Sequence, residues 1–161
     1  MHITYAPLWL AATNCYVVSA GEGGPGVIVD APPEPAAIAE VVRRTGVVPQ
    51  ALLLTHGHLD HVGGAGEVAA GFGVAAHLHP ADEWLAADLS GQVRLLMGLA
   101  GGGAPDLGFA GPERYEPFVD EATLDMLAER LAVDPPILAD RFARVAAAAF
   151  VEFARDGRQD A

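Results

Sequence analysis

The chain has 161 residues, 52% of them apolar, and carries nine basic against twenty-one acidic side chains for a net charge of −12. That length and apolar content suit one domain with a real core and exclude a disordered chain. The acidic balance excludes both non-specific nucleic-acid binding, which needs clustered Lys and Arg, and docking to an anionic membrane surface.

The start of the chain, residues 1–10, has neither a basic cluster nor a long apolar run, so no secretory leader is expected. No stretch reaches membrane-spanning length without Gly, Pro or charge. A soluble cytoplasmic protein is the expectation. Residues 3–10 and 14–19, rich in Thr, Tyr and Val, predict two short strands. The single cysteine, Cys15, lies in the second of these; it reads as a small core residue rather than a nucleophile. Being alone, it excludes an intrachain disulfide and a zinc site built on thiolates. Residues 22–26 form a turn cluster, and 27–29 predict a short buried strand ending at Asp30 and stopped by Pro32 and Pro33. Residues 36–45 predict a helix with Ile38, Val41 and Val42 on its inner face and Gly46 as C-cap. The continuous apolar run 51–54 predicts a strand covered on both faces.

A polar segment follows, and then residues 63–72 predict a helix, 74–78 a strand, and 80–87 a helix with Trp84 on its apolar face. Trp84 there reads as core, and with Tyr115 as the other candidate for a substrate mouth. The succession is an α/β layered pattern. The glycine-rich stretch 98–111 predicts a loop or lid. From Thr123 the pattern turns helical, with Leu124, Leu127 and Leu131 on one face and then Leu138, Phe142, Val145 and Phe153 on the next.

The chemistry concentrates in Thr55-His56-Gly57-His58-Leu59-Asp60-His61. Four residues able to ligate a metal fall within six positions, directly after a buried strand, where α/β sheets place their sites. In an extended segment His56 and His58 point to the same side. Neutral imidazole and carboxylate are zinc ligands at neutral pH. Gly57 lets the backbone bend between the histidines, and Gly63 and Gly64 let the next helix approach closely.

With Val62-Gly63-Gly64 added, this segment resembles the signature of the metallo-β-lactamase superfamily, and the wider match is to its glyoxalase II-like hydrolases. Asn14-Cys15-Tyr16-Val17-Val18 resembles the second strand of that group, and His77-Leu78-His79-Pro80-Ala81-Asp82 the short strand and turn after the motif helix. Val27-Ile28-Val29-Asp30 resembles the third strand, whose Asp supports the metal ligands without touching the metal. The resemblance covers residues 1–118 and implies the N-terminal half of an αββα sandwich. It implies that His56 and His58 hold a first metal and Asp60 and His61 a second, with Asp60 also holding the attacking hydroxide. Up to two zinc ions are implied, with iron or manganese as alternatives, and the implied reaction is hydrolysis of a small-molecule thioester or ester.

The family pattern continues with a His in a Thr-Pro-Gly-His-like turn, a bridging Asp in a Gly-Asp segment and a last His. This sequence has no His after His79. The expectation is therefore a metallo-β-lactamase-like half domain over 1–118 followed by a helical tail over 119–161. His77 and His79 are the residues left to fill a ligand position; they read instead as a solvent-facing strand residue and a turn residue before Pro80. A half sandwich would expose a sheet face, open to the helical tail or to a second copy in a homo-oligomer. The alternative to an active hydrolase is a catalytically inactive truncated homologue that acts through protein contacts.

Overall fold

The computed structural model describes residues 2–99 and 109–117. The helical reading of residues 119–161 lies outside them. The described residues build one mixed six-stranded sheet in the spatial order β1-β2-β3-β4-β5-β6. Its strands are β1 (His2–Leu8), β2 (Thr13–Ser19), β3 (Gly24–Val29), β4 (Val47–Leu53), β5 (Ala76–Leu78) and β6 (Glu116–Pro117). The first three pair antiparallel, as hairpin-linked strands can. From β3 to β6 the pairing is parallel, and each step takes a helical crossover. Helix α1 (Pro35–Thr45) joins β3 to β4, and α2 (Leu59–Val62) with α3 (Ala65–Phe72) joins β4 to β5. Helices α4 (Glu83–Ala86) and α5 (Leu89–Leu99) precede β6. The chain is thus an α/β protein, as its element order predicts.

Local rules account for most of these elements. Pro35 opens α1 at a position where its missing N–H costs nothing. Ile38, Val41 and Val42 are its buried residues, and Gly46 ends it in the left-handed conformation, φ 67°, which glycine adopts without a Cβ clash. Along β2 burial alternates, with Thr13, Cys15, Val17 and Ser19 inward. Cys15 and Val17 join Ile28, Leu52, Leu54 and Leu78 in the core beneath α1 and α3. Cys15 is fully buried, and its burial, then the nearby Asp30 charge, push its thiol far above the ordinary range. It is a core residue with no accessible thiolate.

The structure departs from the sequence reading at several places. Strand β3 starts at Gly24, inside the expected turn cluster, because Gly24, Pro25 and Gly26 pair with Val47, Val48 and Pro49 across a register shift. Helix α5 occupies ground whose helical period is diluted by glycine; Leu89 and Val93, four apart, anchor it. His77 is buried (4% exposed), not solvent-facing, on an interior strand of the sheet, between β4 and β6. Trp84 is 73% exposed, not core. Helix α4 is a single turn, and it buries Ala86 instead. Tyr115 packs against the core with its hydroxyl facing Gly111.

Sheet alternation puts Val27, Val29, Ala51 and Leu53 on the face away from α1 and α3. All four are buried. The large apolar side chains exposed on that face are Ile3 and Tyr5 of the edge strand β1 and Val48 near the start of β4. Among the described residues the sheet face expected to be open in a half sandwich is thus exposed at the β1 edge and at Val48, and closed over the centre of β3 and β4.

Candidate metal centre

The polar segment after β4 leaves the sheet at Leu54 and turns directly into α2. Leu59 and Val62 are buried and pin that single turn to the core. His58 stands at its N-cap with extended backbone, and Asp60 and His61 fall in its first turn. Two backbone bonds hold α2 against the end of β3: Ala31 N donates to His61 O at 2.7 Å and Gly64 N donates to Ala31 O at 2.9 Å. A Cβ on Gly64 would collide with the Pro32 carbonyl, so only glycine permits this approach.

The turn gathers the four predicted residues. The His56 ring lies 4.8 Å from His58, edge to face, and 4.0 Å from His61. His61 Nε2 is 3.3 Å from Asp60 Oδ2. His58 is exposed, while His56, Asp60 and His61 are half-buried. The loop thus presents these three histidines and one carboxylate together at one end of the parallel strands.

Behind them is a network that local sequence could not announce. Asp30 is 1% exposed and sits at φ 61°, a conformation that Asp tolerates better than most residues. Its carboxylate accepts from Thr55 N at 2.8 Å and from Thr55 Oγ1 at 2.9 and 3.0 Å. It also bonds His61 Nδ1 at 2.8 Å. A proton on Nδ1 leaves Nε2 as the nitrogen facing outward toward Asp60. The Thr55 hydroxyl, donating to Asp30, can accept from His56 Nδ1 at 3.0 Å, which likewise frees Nε2 of that ring. From the hairpin, Thr13 Oγ1 donates to Asp60 Oδ2 at 2.7 Å. The position of Asp30 matches what the family resemblance implies. Thr13 carried no sequence signal at all; it is 47 residues from Asp60.

The protonation states follow from these contacts. Burial, then the nearby His61 charge, push His56 down to about 4, so it is a neutral imidazole at pH 7. Burial opposes the charged form of His61, but the hydrogen bonds to Asp30 and then Asp60 outweigh it and hold the ring at about 9. Burial would raise Asp60; its bond to His61, that ring's charge and Thr13 instead hold it well below the usual carboxylate range. The result is one neutral imidazole and one ionised carboxylate, with a cationic ring between two carboxylates.

Neutral imidazole and carboxylate are the donors that divalent zinc, iron and manganese accept, so by chemistry and proximity the cluster fits such a cation. By arrangement it is incomplete: among the described residues no group of three or more His, Cys, Asp or Glu is set to hold a metal ion. Asp60 and His61 instead bond each other. His79, one of the two residues left to fill a ligand position, accepts from Ala81 N at 3.1 Å and shapes the turn before α4. No helix among the described residues is long and apolar enough to cross a membrane.

Comparison with known proteins gives these features a context. Residues 8–138 match the family model of the metallo-beta-lactamase superfamily. An uncharacterized protein of Mycobacterium bovis, Mb2612c, is 40% identical over 90 residues, which take in 55% of this chain and 40% of that protein. A hydroxyacylglutathione hydrolase of Xanthomonas campestris is 43% identical over 60 residues, 37% of this chain and 23% of that enzyme. The chain therefore spans well under two-thirds of the length of the curated relatives it matches. Among solved structures, that of TTHA1623 in a di-iron-bound form aligns with a TM-score of 0.55 and 30% identity, covering 73% of this chain and 55% of that one.

Proposed function

Because the chain belongs to the metallo-β-lactamase superfamily, we propose that His56, His58, Asp60 and His61 form the metal-binding side of a hydrolytic site. The reaction is glyoxalase II-like, the hydrolysis of a small-molecule thioester or ester. The observation that carries this reading is the hydrogen-bonded chain from buried Asp30 through His61 Nδ1 to the Nε2–Asp60 pair. A carboxylate behind an imidazole is the arrangement by which proteins fix a metal-ligating histidine.

In this reading His56 and His58 offer ring nitrogens to one divalent cation and Asp60 and His61 serve a second; zinc is the first candidate, with iron or manganese as alternatives. When bound, such a cation supplies a Lewis acid and generates a nucleophile from water at neutral pH. The protein's own part is to keep His56 neutral, to hold Asp60 ionised against Thr13, and to set the His61 tautomer through Asp30. The di-iron-bound form of TTHA1623 supports a metal at this site. The local identity to a hydroxyacylglutathione hydrolase supports the thioester class.

A second reading, an inactive homologue that acts through protein contacts, is favoured by the lack of three donors arranged for one ion among the described residues. One experiment separates the two. Protein purified without chelator or affinity histidines is assayed for metal content and for cleavage of a hydroxyacyl-glutathione thioester, beside the His56→Ala/Asp60→Ala double variant. The hydrolase reading expects stoichiometric metal and metal-dependent cleavage, both lost in the variant. Metal without cleavage refutes the substrate class. No stoichiometric metal refutes the hydrolase and leaves the second reading.

A further inference from the structure

Beside Asp30 and Thr13, a third side chain grips the ligand loop from outside its own segment: Gln92 of α5. Its Oε1 accepts from Leu59 N at 2.8 Å. Its Nε2 donates to Gly57 O at 3.1 Å and to Leu85 O at 2.7 Å. The first two bonds fall on the residues immediately before and after His58. The third ties the same amide to α4.

Each bond meets a need that the backbone leaves open. Leu59 N is a first-turn donor of α2, with no carbonyl of its own helix to reach. His58 at the N-cap makes no side-chain cap, so the glutamine does the capping from 33 residues away. Gly57 is buried and lies so close to α4 that a Cβ there would stand 2.6 Å from Asp82 O and 3.0 Å from Ala86 N. Its carbonyl is satisfied by the amide that also reaches Leu85. Helix α5 can hold this position firmly because Leu89 and Val93, on either side of Gln92, are buried. His58 itself is exposed. Among the described residues its ring leans edge to face on His56 alone, so the backbone on its two sides has to set where that side chain leaves the loop.

We propose that Gln92 is a positioning residue: by bridging Gly57 O and Leu59 N it fixes the backbone around His58, and hence the direction in which that ring presents its nitrogen to a cation. This rests on the metal-site reading above. Groups that orient ligands without touching the metal commonly change affinity 10- to 100-fold when removed.

The test uses the full chain, stripped of metal and titrated with Co2+ as a spectroscopic probe. Co2+ affinity is read by chelator competition, the ligand field by the visible d–d bands, and the clamp itself by hydrogen exchange of the Leu59 amide in the metal-free protein. Three variants are compared with wild type. Gln92→Met keeps length and volume but makes none of the three bonds. Gln92→Glu keeps only the acceptor for Leu59 N. His58→Ala removes the ligand. The expected result is Co2+ affinity about 10- to 100-fold weaker in Gln92→Met, with altered bands and faster Leu59 exchange. Gln92→Glu should fall between it and wild type, and it carries the test if Gln92→Met does not fold. The proposal is overturned if His58→Ala loses Co2+ binding while both Gln92 variants bind with wild-type affinity and wild-type bands; Gln92 would then only staple α4 to α5. If wild type itself binds no Co2+, the metal-site reading falls, and the role of Gln92 with it.

Discussion

Replacing Asp30 with Asn probes the centre most directly, because the change preserves shape and removes one charge and one acceptor. The carboxylate is 1% exposed and serves two sides at once, Thr55 N–H on one and His61 Nδ1 on the other, each at 2.8 Å. Thr55 N–H is a fixed donor, so the Asn amide oxygen must stay with it. The amide NH2 is then left facing His61 Nδ1. Two donors cannot face each other, so the ring must give up its Nδ1 proton and keep the one on Nε2. That nitrogen is the one 3.3 Å from Asp60, and a cation can take it only by moving the proton to Nδ1, which Asp30 accepts and the Asn amide opposes. The positive φ of Asp30 adds nothing to the cost, since Asn tolerates that region as well as Asp does. Losing one buried charged hydrogen bond costs about 2 kcal/mol. At this chain length that lowers the melting temperature of the metal-free protein by about 4–8 °C. Co2+ affinity should fall about 10- to 100-fold. The assays are thermal unfolding in chelator and chelator-competition titration. An Asp30→Asn protein that melts within about 1 °C of wild type and binds Co2+ with wild-type affinity would refute the role given to Asp30.

Three other outcomes follow from the same geometry. Gly57→Ala places a Cβ 2.6 Å from Asp82 O and 3.0 Å from Ala86 N, so α4 must move away from the ligand loop; the variant should stay folded and lose metal affinity, measured as for Asp30. The metal-free protein should be most stable near neutral pH. His61, raised to about 9, contributes stability that is full below about pH 6.5 and lost as pH rises through 9. His56, lowered to about 4, adds a penalty that grows as pH falls from about 6.5 to 4. Melting curves across pH 4–10 check this, and in Asp30→Asn the alkaline decline should shrink. Ile38→Ala in α1 empties a site with 0% exposure and should cost about 2–5 kcal/mol by denaturant titration, whereas Leu10→Ala, 91% exposed in the turn after β1, should cost under about 0.5 kcal/mol.

Where burial is written into a local period, sequence alone determined the outcome. The helix with Ile38, Val41 and Val42 inward, its Gly46 cap, and the doubly covered strand leading into the histidine loop were all legible, because alternation and 3.6-residue spacing record which side faces the core. The clustering of His56, His58, Asp60 and His61, and the family, were legible for a similar reason: the residues lie within six positions of one another. Tertiary structure decided what depends on distant partners. His77 is buried on a strand made interior to the sheet by β6, a pairing that joins residues 77 and 116. Trp84 faced solvent because one short turn had a single inward position, and Ala86 took it. The supports of the centre are long-range too: Asp30 reaches Thr55 and His61 across 25 and 31 residues, Gln92 reaches Gly57 across 35, and Thr13 reaches Asp60 across 47. A hydrogen bond between groups so far apart in sequence leaves no periodicity in the chain. It exists only once the sheet and its crossovers have brought the two ends together.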